Sequence, residues 1–178
     1  MTRNTYKHGG LLALAVMAAA SIAIGQQSAN RMSPDHDFAA KAAQGGMAEV
    51  KLGHLAEQNA ESPDVKAFGR RMVTDHTKAG DELKAIAGRN GITLPDQLDS
   101  KDQSTYDRLS KLKGSEFDKA YMKDMVSDHR SDVSEFRHES EHGTDPDLRA
   151  FAGKTLPMLE EHLKLAESTE GKVKGEKK

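Results

Sequence analysis

The sequence contains no cysteine and no tryptophan, and only 4% of its 178 residues are aromatic. Without cysteine the chain has no disulfide framework, no thiolate metal ligand and no thiol nucleophile. Its one long apolar run, residues 11–24, is too short and too weakly hydrophobic to span a membrane. The fold must therefore rest on a core of small and aliphatic side chains, and the abundance of Ala, Leu, Met, Glu and Lys favours closely packed helices.

The N-terminal residues have the pattern of a targeting segment. Arg3 and Lys7 precede the apolar run, and the small residues Ala23 and Gly25 come just before Gln26. This pattern predicts a signal peptide over residues 1–25 that is cleaved before Gln26, followed by a short linker over residues 26–33. An uncleaved N-terminal anchor is the alternative. We expect an exported protein, periplasmic or associated with the cell envelope, with no spanning segment in the mature chain.

Charge argues against nucleic acid as a partner. Without Arg3 and Lys7 the chain has 24 basic and 28 acidic residues, and the two signs are intermixed along it. Binding to phosphates requires a basic face, which this balance does not supply.

Start and stop signals divide the rest of the chain into four long helices. Ser33, Ser62 and Asp145 are each followed by a proline, which is the pattern of an N-cap and a first helical turn. Gly91 and Gly143 are typical residues just after a helix end. The predicted helices span residues 34–60, 63–90, 115–142 and 146–168, which together form one bundle domain over residues 34–168 with a disordered tail over residues 169–178.

The lengths of the connections predict the topology. The first and second helices, and likewise the third and fourth, are joined by a few residues, which is typical of antiparallel hairpins. Residues 91–114 are long enough to cross the bundle and include a short predicted helix near residues 103–112. Residues 63–69 are echoed by residues 146–152, as expected for two related hairpins. The prediction is an all-α, ferritin-like, up-down-down-up four-helix bundle with one long crossover.

One ionisable residue interrupts the apolar stripe of each long helix. Spacings of three and four residues put Glu49, His76, His129 and His162 on these stripes, near the middle of their helices. Because isolated buried ionisable groups are costly, the four are expected to meet in one layer. Neutral imidazoles with a carboxylate are good ligands for one transition-metal ion: zinc, iron or copper, of which copper or zinc is favoured by the features below.

Methionines on the same faces bear on the choice of metal. Met72, Met125 and Met158 each precede a stripe histidine by four residues, so each pair shares a helix face. Thioether and imidazole together favour copper, although methionine is also a common core filler. Asp75 and Asp128, which directly precede two of the histidines, are predicted to face outward or toward a neighbouring helix.

Three functions fit this pattern. The first is a non-enzymatic metal-binding protein of the envelope with a role there or in envelope stress, and the second is a structural or interaction module with a metal-free polar network. The third is an enzyme with a single-metal site, which needs an open coordination position. The chain contains no nucleophile–base arrangement, phosphate loop or cofactor fingerprint, so the prediction leans away from an enzyme.

Several spaced motifs resemble the DUF 4142 family, and they cover about residues 38–166. The motifs are residues 42–50, 62–68, 72–79, 91–95, 120–122 and 155–163. The resemblance implies a ferritin-like fold, export to the envelope and membership of a group often labelled as outer-membrane proteins, with no established activity.

Three positions differ from the sequence pattern of di-iron proteins, and this difference narrows the choice of metal. Ferritin-like di-iron sites need a glutamate three residues before each ligand histidine. Val73, Val126 and Leu159 occupy those positions here. The pattern therefore argues against a carboxylate-bridged di-iron centre and against ferroxidase or oxygenase activity.

Overall fold

The computed structural model describes residues 1–2 and 33–175, and this part of the chain is helical without a strand. The all-α class is thereby confirmed. None of the described helices is both long and apolar enough to cross a lipid bilayer. Apart from residues 1–2 and 33, the predicted signal peptide and linker lie outside the described residues. The helices are α1 (Pro34–Asn59), α2 (Pro63–Asn90), α3 (Ser100–Leu109), α4 (Gly114–His142) and α5 (Pro146–Gly175).

Side-chain caps and a glycine set the helix ends close to their predicted positions. The Ser33 hydroxyl accepts a hydrogen bond from the His36 N–H at 3.2 Å. Asp145 Oδ1 accepts two N–H groups of the first turn of α5, at 2.9 and 3.0 Å. Both caps satisfy donors that a helix start leaves unpaired. Helix α2 ends at Asn90 and is capped by Gly91, whose φ of 66° is the left-handed conformation that glycine adopts without strain.

Two helices differ from their predicted limits by three residues or more. Helix α3 spans Ser100–Leu109 rather than about residues 103–112, and Asp99 caps its start by accepting the Asp102 N–H at 2.7 Å. Helix α5 passes through Pro157 and continues to Gly175, so the expectation of a disordered tail is wrong for residues 169–175. The physical reason is burial, because Val173 packs into the apolar core. The residues on either side of Val173 are polar or glycine, so the sequence pattern did not indicate this burial.

The apolar core consists of two clusters that lie at different heights along the helices. The first core cluster contains Phe68, Phe117 and Tyr121, and the second contains Phe38 and Phe136. On α2, α4 and α5 the members of one cluster precede the stripe histidine and those of the other follow it. The histidines therefore occupy a layer between two apolar regions.

Two buried carboxylates connect each helical hairpin to the turn of the other hairpin. Helix α1 packs mainly on α2, and α4 mainly on α5. Asp35, at the start of α1, accepts two backbone N–H groups of the turn before α5, at 3.2 and 2.8 Å. Asp118, near the start of α4, accepts two backbone N–H groups of the turn between α1 and α2, also at 3.2 and 2.8 Å. These bonds fix the axial register of the two hairpins.

Helices α1 and α2 approach so closely at one point that only glycine fits. A Cβ added at Gly53 would lie 2.6 Å from the Gly69 carbonyl oxygen, and one added at Gly69 would lie 2.7 Å from the Gly53 carbonyl oxygen. Because both obstacles are backbone atoms, neither can turn aside. The contact sets the spacing of the hairpin that supplies Glu49 and His76.

Replacement of Gly69 by alanine is expected to lower the free energy of unfolding by about 1–2 kcal/mol, because overpacking outweighs the gain in helix propensity. The matched control is Gly88→Ala on the same helix, where an added Cβ has open space. The free energy of unfolding of that variant should rise by about 0.5–1 kcal/mol. Urea denaturation followed by circular dichroism measures the free energy of unfolding of both variants. An equal rise in the two would contradict the close approach of the helices.

Candidate metal centre

Three histidines from three helices meet in the layer between the core clusters. His76 on α2 is 6% exposed, and His129 on α4 and His162 on α5 are fully buried. Their ring centroids are 5.4 to 5.8 Å apart. One ring nitrogen of each lies within 4.8 Å of the others, so the three imidazoles could hold one metal ion.

Hydrogen bonds on the outer edges of two rings determine which nitrogen carries the lone pair. His129 Nδ1 is 3.0 Å from the Met125 carbonyl oxygen, and His162 Nε2 is 2.8 Å from Asp75 Oδ2. A carbonyl or carboxylate oxygen accepts only, so each of these nitrogens bears the hydrogen. The lone pairs then lie on His129 Nε2 and His162 Nδ1. Those two atoms and His76 Nε2 are buried with no hydrogen-bond partner among the described residues.

The environment keeps all three imidazoles neutral. Burial lowers the pKa of His76 well below its usual range, and repulsion from His129 and His162 lowers it further. Burial lowers the pKa of His129 to about 4. The pKa of His162 is also lowered by burial, although the hydrogen bond to Asp75 opposes this. Neutral imidazole is the form that binds a metal ion.

Asp75 links the histidine layer to the protein surface. Its Oδ2 accepts from His162 and, at 3.2 Å, from Arg71 Nε. Burial acts to raise the pKa of Asp75, but the bonds from His162 and Arg71 hold it below its usual value. Arg71 also bonds to Glu161 at 2.6 Å. A carboxylate on the outer nitrogen of a histidine is the usual support of a metal ligand, because it fixes the ring orientation and tautomer. Asp75 thus faces a neighbouring helix, one of the two orientations expected for it.

Glu49 lies beside the histidine group, at the Nδ1 edge of His129. Its carboxylate is fully buried, and Oε1 is 3.7 Å from His129 Nδ1. Its oxygens group instead with those of Asp128 and Asp132 on α4. Burial raises the pKa of Glu49 well above its usual range, and the charges of these two aspartates raise it further. The predicted layer of four residues is therefore arranged as three histidines with Glu49 behind one of them.

The three methionines divide between the two core clusters. Met72 and Met125 are buried in the first core cluster, whereas Met158 is only partly buried and packs against the second. The structure thus brings the three histidines together but distributes the thioethers on both sides of them.

A small cavity reaches His76 from the side of the second core cluster. Its volume is about 40 Å³, and Gly46, Gly80, Asp132 and Thr155 contribute to its lining. A surface groove shares His76 and both glycines. Since about 10–15 Å³ suffices for one water molecule, the cavity can hold water beside His76. A Cβ at either glycine would meet no other described residue within 4 Å, so the glycines leave this side open.

Sequence reasoning missed two features of this site. The stripe pattern did not predict that Asp75 pairs with His162, because the two residues lie on different helices. It also did not group Asp128 and Asp132 with Glu49, although their spacing of four residues on α4 was a usable signal.

Comparisons with known proteins identify a family and a fold. The family described as a domain of unknown function, DUF4142, matches residues 21–169. The structure is similar to a DUF305 fragment from Deinococcus radiodurans, with a TM-score of 0.70 and 12% identity over 79% of this chain and 97% of that one. It is also similar to a DUF305 protein from Streptomyces coelicolor described as secreted, with a TM-score of 0.68 and 13% identity over 80% and 93%. No curated protein matches the sequence.

The lowered histidine pKa values predict that the metal-free protein loses stability on acidification. The unfolded chain takes up protons on histidine near pH 6.5, whereas His129 in the folded protein does so only near pH 4. Buried neutral His129 therefore contributes its full share of the free energy of unfolding above pH 6.5. That share, about 3 kcal/mol, is lost as the pH falls from 6.5 to about 4. Glu49 acts in the opposite direction, because its raised pKa makes the folded state bind a proton more readily.

The test compares variants so that the effect of Glu49 cancels. Unfolding free energies of chelator-treated protein are measured from pH 7 to pH 4 for the parent, for His129→Gln and for His138→Gln, which alters an exposed histidine of the same helix. The pH dependence should become shallower in His129→Gln alone. Identical slopes in all three proteins would contradict the buried neutral state.

Proposed function

Because the chain belongs to the DUF4142 family, whose function is not assigned, its own residues must supply the argument, and we propose that it is a metal-binding protein. His76, His129 and His162 hold one transition-metal ion, either zinc or copper. The role is non-enzymatic and belongs to the cell envelope, where such a protein would bind or buffer a metal ion, including during envelope stress.

The unpartnered ring nitrogens are the observation that carries this proposal. A buried polar atom without a hydrogen bond costs on the order of 1–3 kcal/mol, and this layer has three of them within one small group. With the hydrogen of neutral His76 on Nδ1, a metal ion would accept one lone pair from each of the three rings. A metal-free network would instead require donors aimed at these nitrogens, and the described residues offer none.

The donor set supports zinc or copper over iron. Three imidazole nitrogens are borderline ligands that suit zinc and copper, and water in the cavity beside His76 can fill a fourth position. Asp75 and the Met125 carbonyl hold the outer nitrogens of two ligands. Met72 and Met125 remain the candidates for soft ligation of copper(I), and Met158 is a weaker one because it is partly exposed. Glu49, predicted as a fourth ligand, lies at the opposite edge of His129, where its Oε1 is 3.7 Å from Nδ1, so the proposed ligand set contains the three histidines without it.

We infer that the long helices adopt the up-down-down-up order of a ferritin-like bundle, with α3 inside the crossover. The turns before α2 and α5 are only three residues long, which supports two hairpins. Lys172 pairs with Asp64 at 2.7 Å, and Arg89 pairs with Asp147 at 3.8 Å. These pairs join opposite ends of α2 and α5, as antiparallel neighbours require.

A structural polar network is the second candidate, and the bonds between α2 and α5 favour it. Arg71, Asp75 and His162 form a continuous hydrogen-bonded chain between these helices. If the layer only specifies packing, a His129→Leu, Glu49→Leu double replacement should be as stable as the parent or more so, and the parent should bind no metal.

Metal titration tests the proposed function. Calorimetric titrations of chelator-treated protein with Zn²⁺, and with Cu⁺ under reducing conditions, should give one site per chain. His76→Ala and His129→Ala should abolish it, and Asp75→Asn should weaken it about 10–100-fold through loss of the support on His162. His138→Ala is the matched exposed control. Binding no tighter than about 1 mM, unchanged by the first two replacements, would refute the proposal.

Met72→Leu and Met125→Leu distinguish the metals. If copper(I) uses a thioether, at least one of these variants should lose affinity for Cu⁺ while keeping affinity for Zn²⁺, because zinc does not need the soft sulfur ligand. Met47→Leu is the control on α1.

Export is a separate part of the proposal. We expect protein recovered from the envelope fraction of a Gram-negative expression host to begin at Gln26, because residues 1–25 have the composition of a signal peptide. Intact-mass analysis of that fraction measures the cleavage. A chain that retains Met1 and stays in the cytoplasmic fraction would contradict it.

A further inference from the structure

A second group of potential ligands lies behind the histidine layer and contains only carboxylates. Glu49 extends from α1, and Asp128 and Asp132 extend from one face of α4, where they are one helical turn apart. One oxygen of each lies within 4.8 Å of the others. The group is separate from the histidine site in donor chemistry, since it offers oxygen rather than nitrogen.

Within this group, Glu49 has no basic partner. Its side chain is fully buried, and neither oxygen accepts a hydrogen bond from an amide, a hydroxyl or a basic side chain in the described part of the chain. The side chain that interacts with it is a second carboxyl group, that of Asp128, which helps to raise the pKa of Glu49. Among the described residues, Glu49 pairs at a longer distance with His129 Nδ1, at 3.7 Å, but that nitrogen already donates to the Met125 carbonyl oxygen at 3.0 Å. A buried carboxylate in this condition is costly unless it takes up a proton or contacts a cation.

Protein side chains supply little positive charge to this group. Among the described residues, Lys101 of α3 pairs with Asp128, at a distance of 3.7 Å, and its own side chain is mostly exposed. No Lys or Arg of the described residues forms an ion pair with Glu49 or Asp132. Burial and the charge of Asp128 raise the pKa of Asp132 well above its usual range, which reflects the same shortage of positive charge.

We propose that Glu49, Asp128 and Asp132 form a second cation site, which binds a hard divalent ion of the Mg²⁺ or Mn²⁺ class. Such ions prefer carboxylate oxygens and retain several water ligands. The cavity that Asp132 and His76 both line provides room for that water. Glu49 adjoins His129, so the two sites are neighbours that differ in donor chemistry: nitrogen for zinc or copper, and oxygen for the hard ion.

Manganese is the probe, because free Mn²⁺ has a strong electron paramagnetic resonance signal that decreases on binding. Titration of the chelator-treated full-length bundle, with and without one equivalent of Zn²⁺, should give one Mn²⁺ site in both cases. Asp132→Asn and Glu49→Gln should each weaken Mn²⁺ binding at least tenfold. Lys101→Met should strengthen it, because a competing positive charge is removed. Glu141→Gln, which alters an exposed acid of α4, is the control and should leave Mn²⁺ affinity unchanged.

The histidine variants separate this proposal from the proposed function. His76→Ala should lose Zn²⁺ but keep Mn²⁺, whereas Asp132→Asn should keep Zn²⁺ and lose Mn²⁺. Mn²⁺ binding that disappears in His76→Ala and survives in Asp132→Asn would overturn the second site, because manganese would then occupy the histidine site. Absence of Mn²⁺ binding, with an infrared band of a protonated carboxyl that is lost in Glu49→Gln, would also overturn it, because the carboxylates would then share a proton. Circular dichroism checks that each variant is folded. If Glu49→Gln does not fold, Asp132→Asn provides the test, because it alters a less buried residue.

Discussion

Three imidazole lone pairs enclosed in an apolar interior are the constraint on which this structure depends. The two core clusters lie on either side of the histidine layer, so apolar side chains flank the ring nitrogens along the helix axes. Burial favours neutral rings, and outer hydrogen bonds turn the lone pairs of His129 and His162 away from Met125 and Asp75. The result is a concentrated set of acceptors with no donor, which is unfavourable for an empty core and favourable for a bound cation.

The rest of the bundle holds this layer at one height. The contact of Gly53 with Gly69 sets the distance between α1 and α2, and the carboxylates of Asp35 and Asp118 bind each hairpin to the turn of the other. A shift of one helix by a single turn would move its histidine about 5.4 Å along the axis and separate the nitrogens. Axial register is therefore a requirement of the site as much as of the core.

The similar DUF305 structures share the fold at 12–13% identity, so they support the architecture and leave the chemistry to the residues of this chain. Those residues form two sets of potential metal ligands that meet at the ring of His129. The nitrogen ligands lie on the side of His76 and His162, and the oxygen ligands lie on the side of Glu49. A bundle of four long helices can present both sets because each helix contributes one side chain or one face at the same height.

The sequence by itself determined the four long helices, apart from the end of α5, and the burial of the histidines. Ser33, Asp145 and Gly91 mark helix ends through local hydrogen bonding and backbone conformation, and the stripe spacing identified His76, His129 and His162 because helical periodicity is a local property. Only the tertiary structure decided which residues meet across helices. Asp75 pairs with His162, Asp128 and Asp132 face Glu49, and Val173 extends α5 by packing into the core, and each of these depends on a partner distant in sequence. Local patterns carry no information about such partners, because helix packing angles and axial register set them.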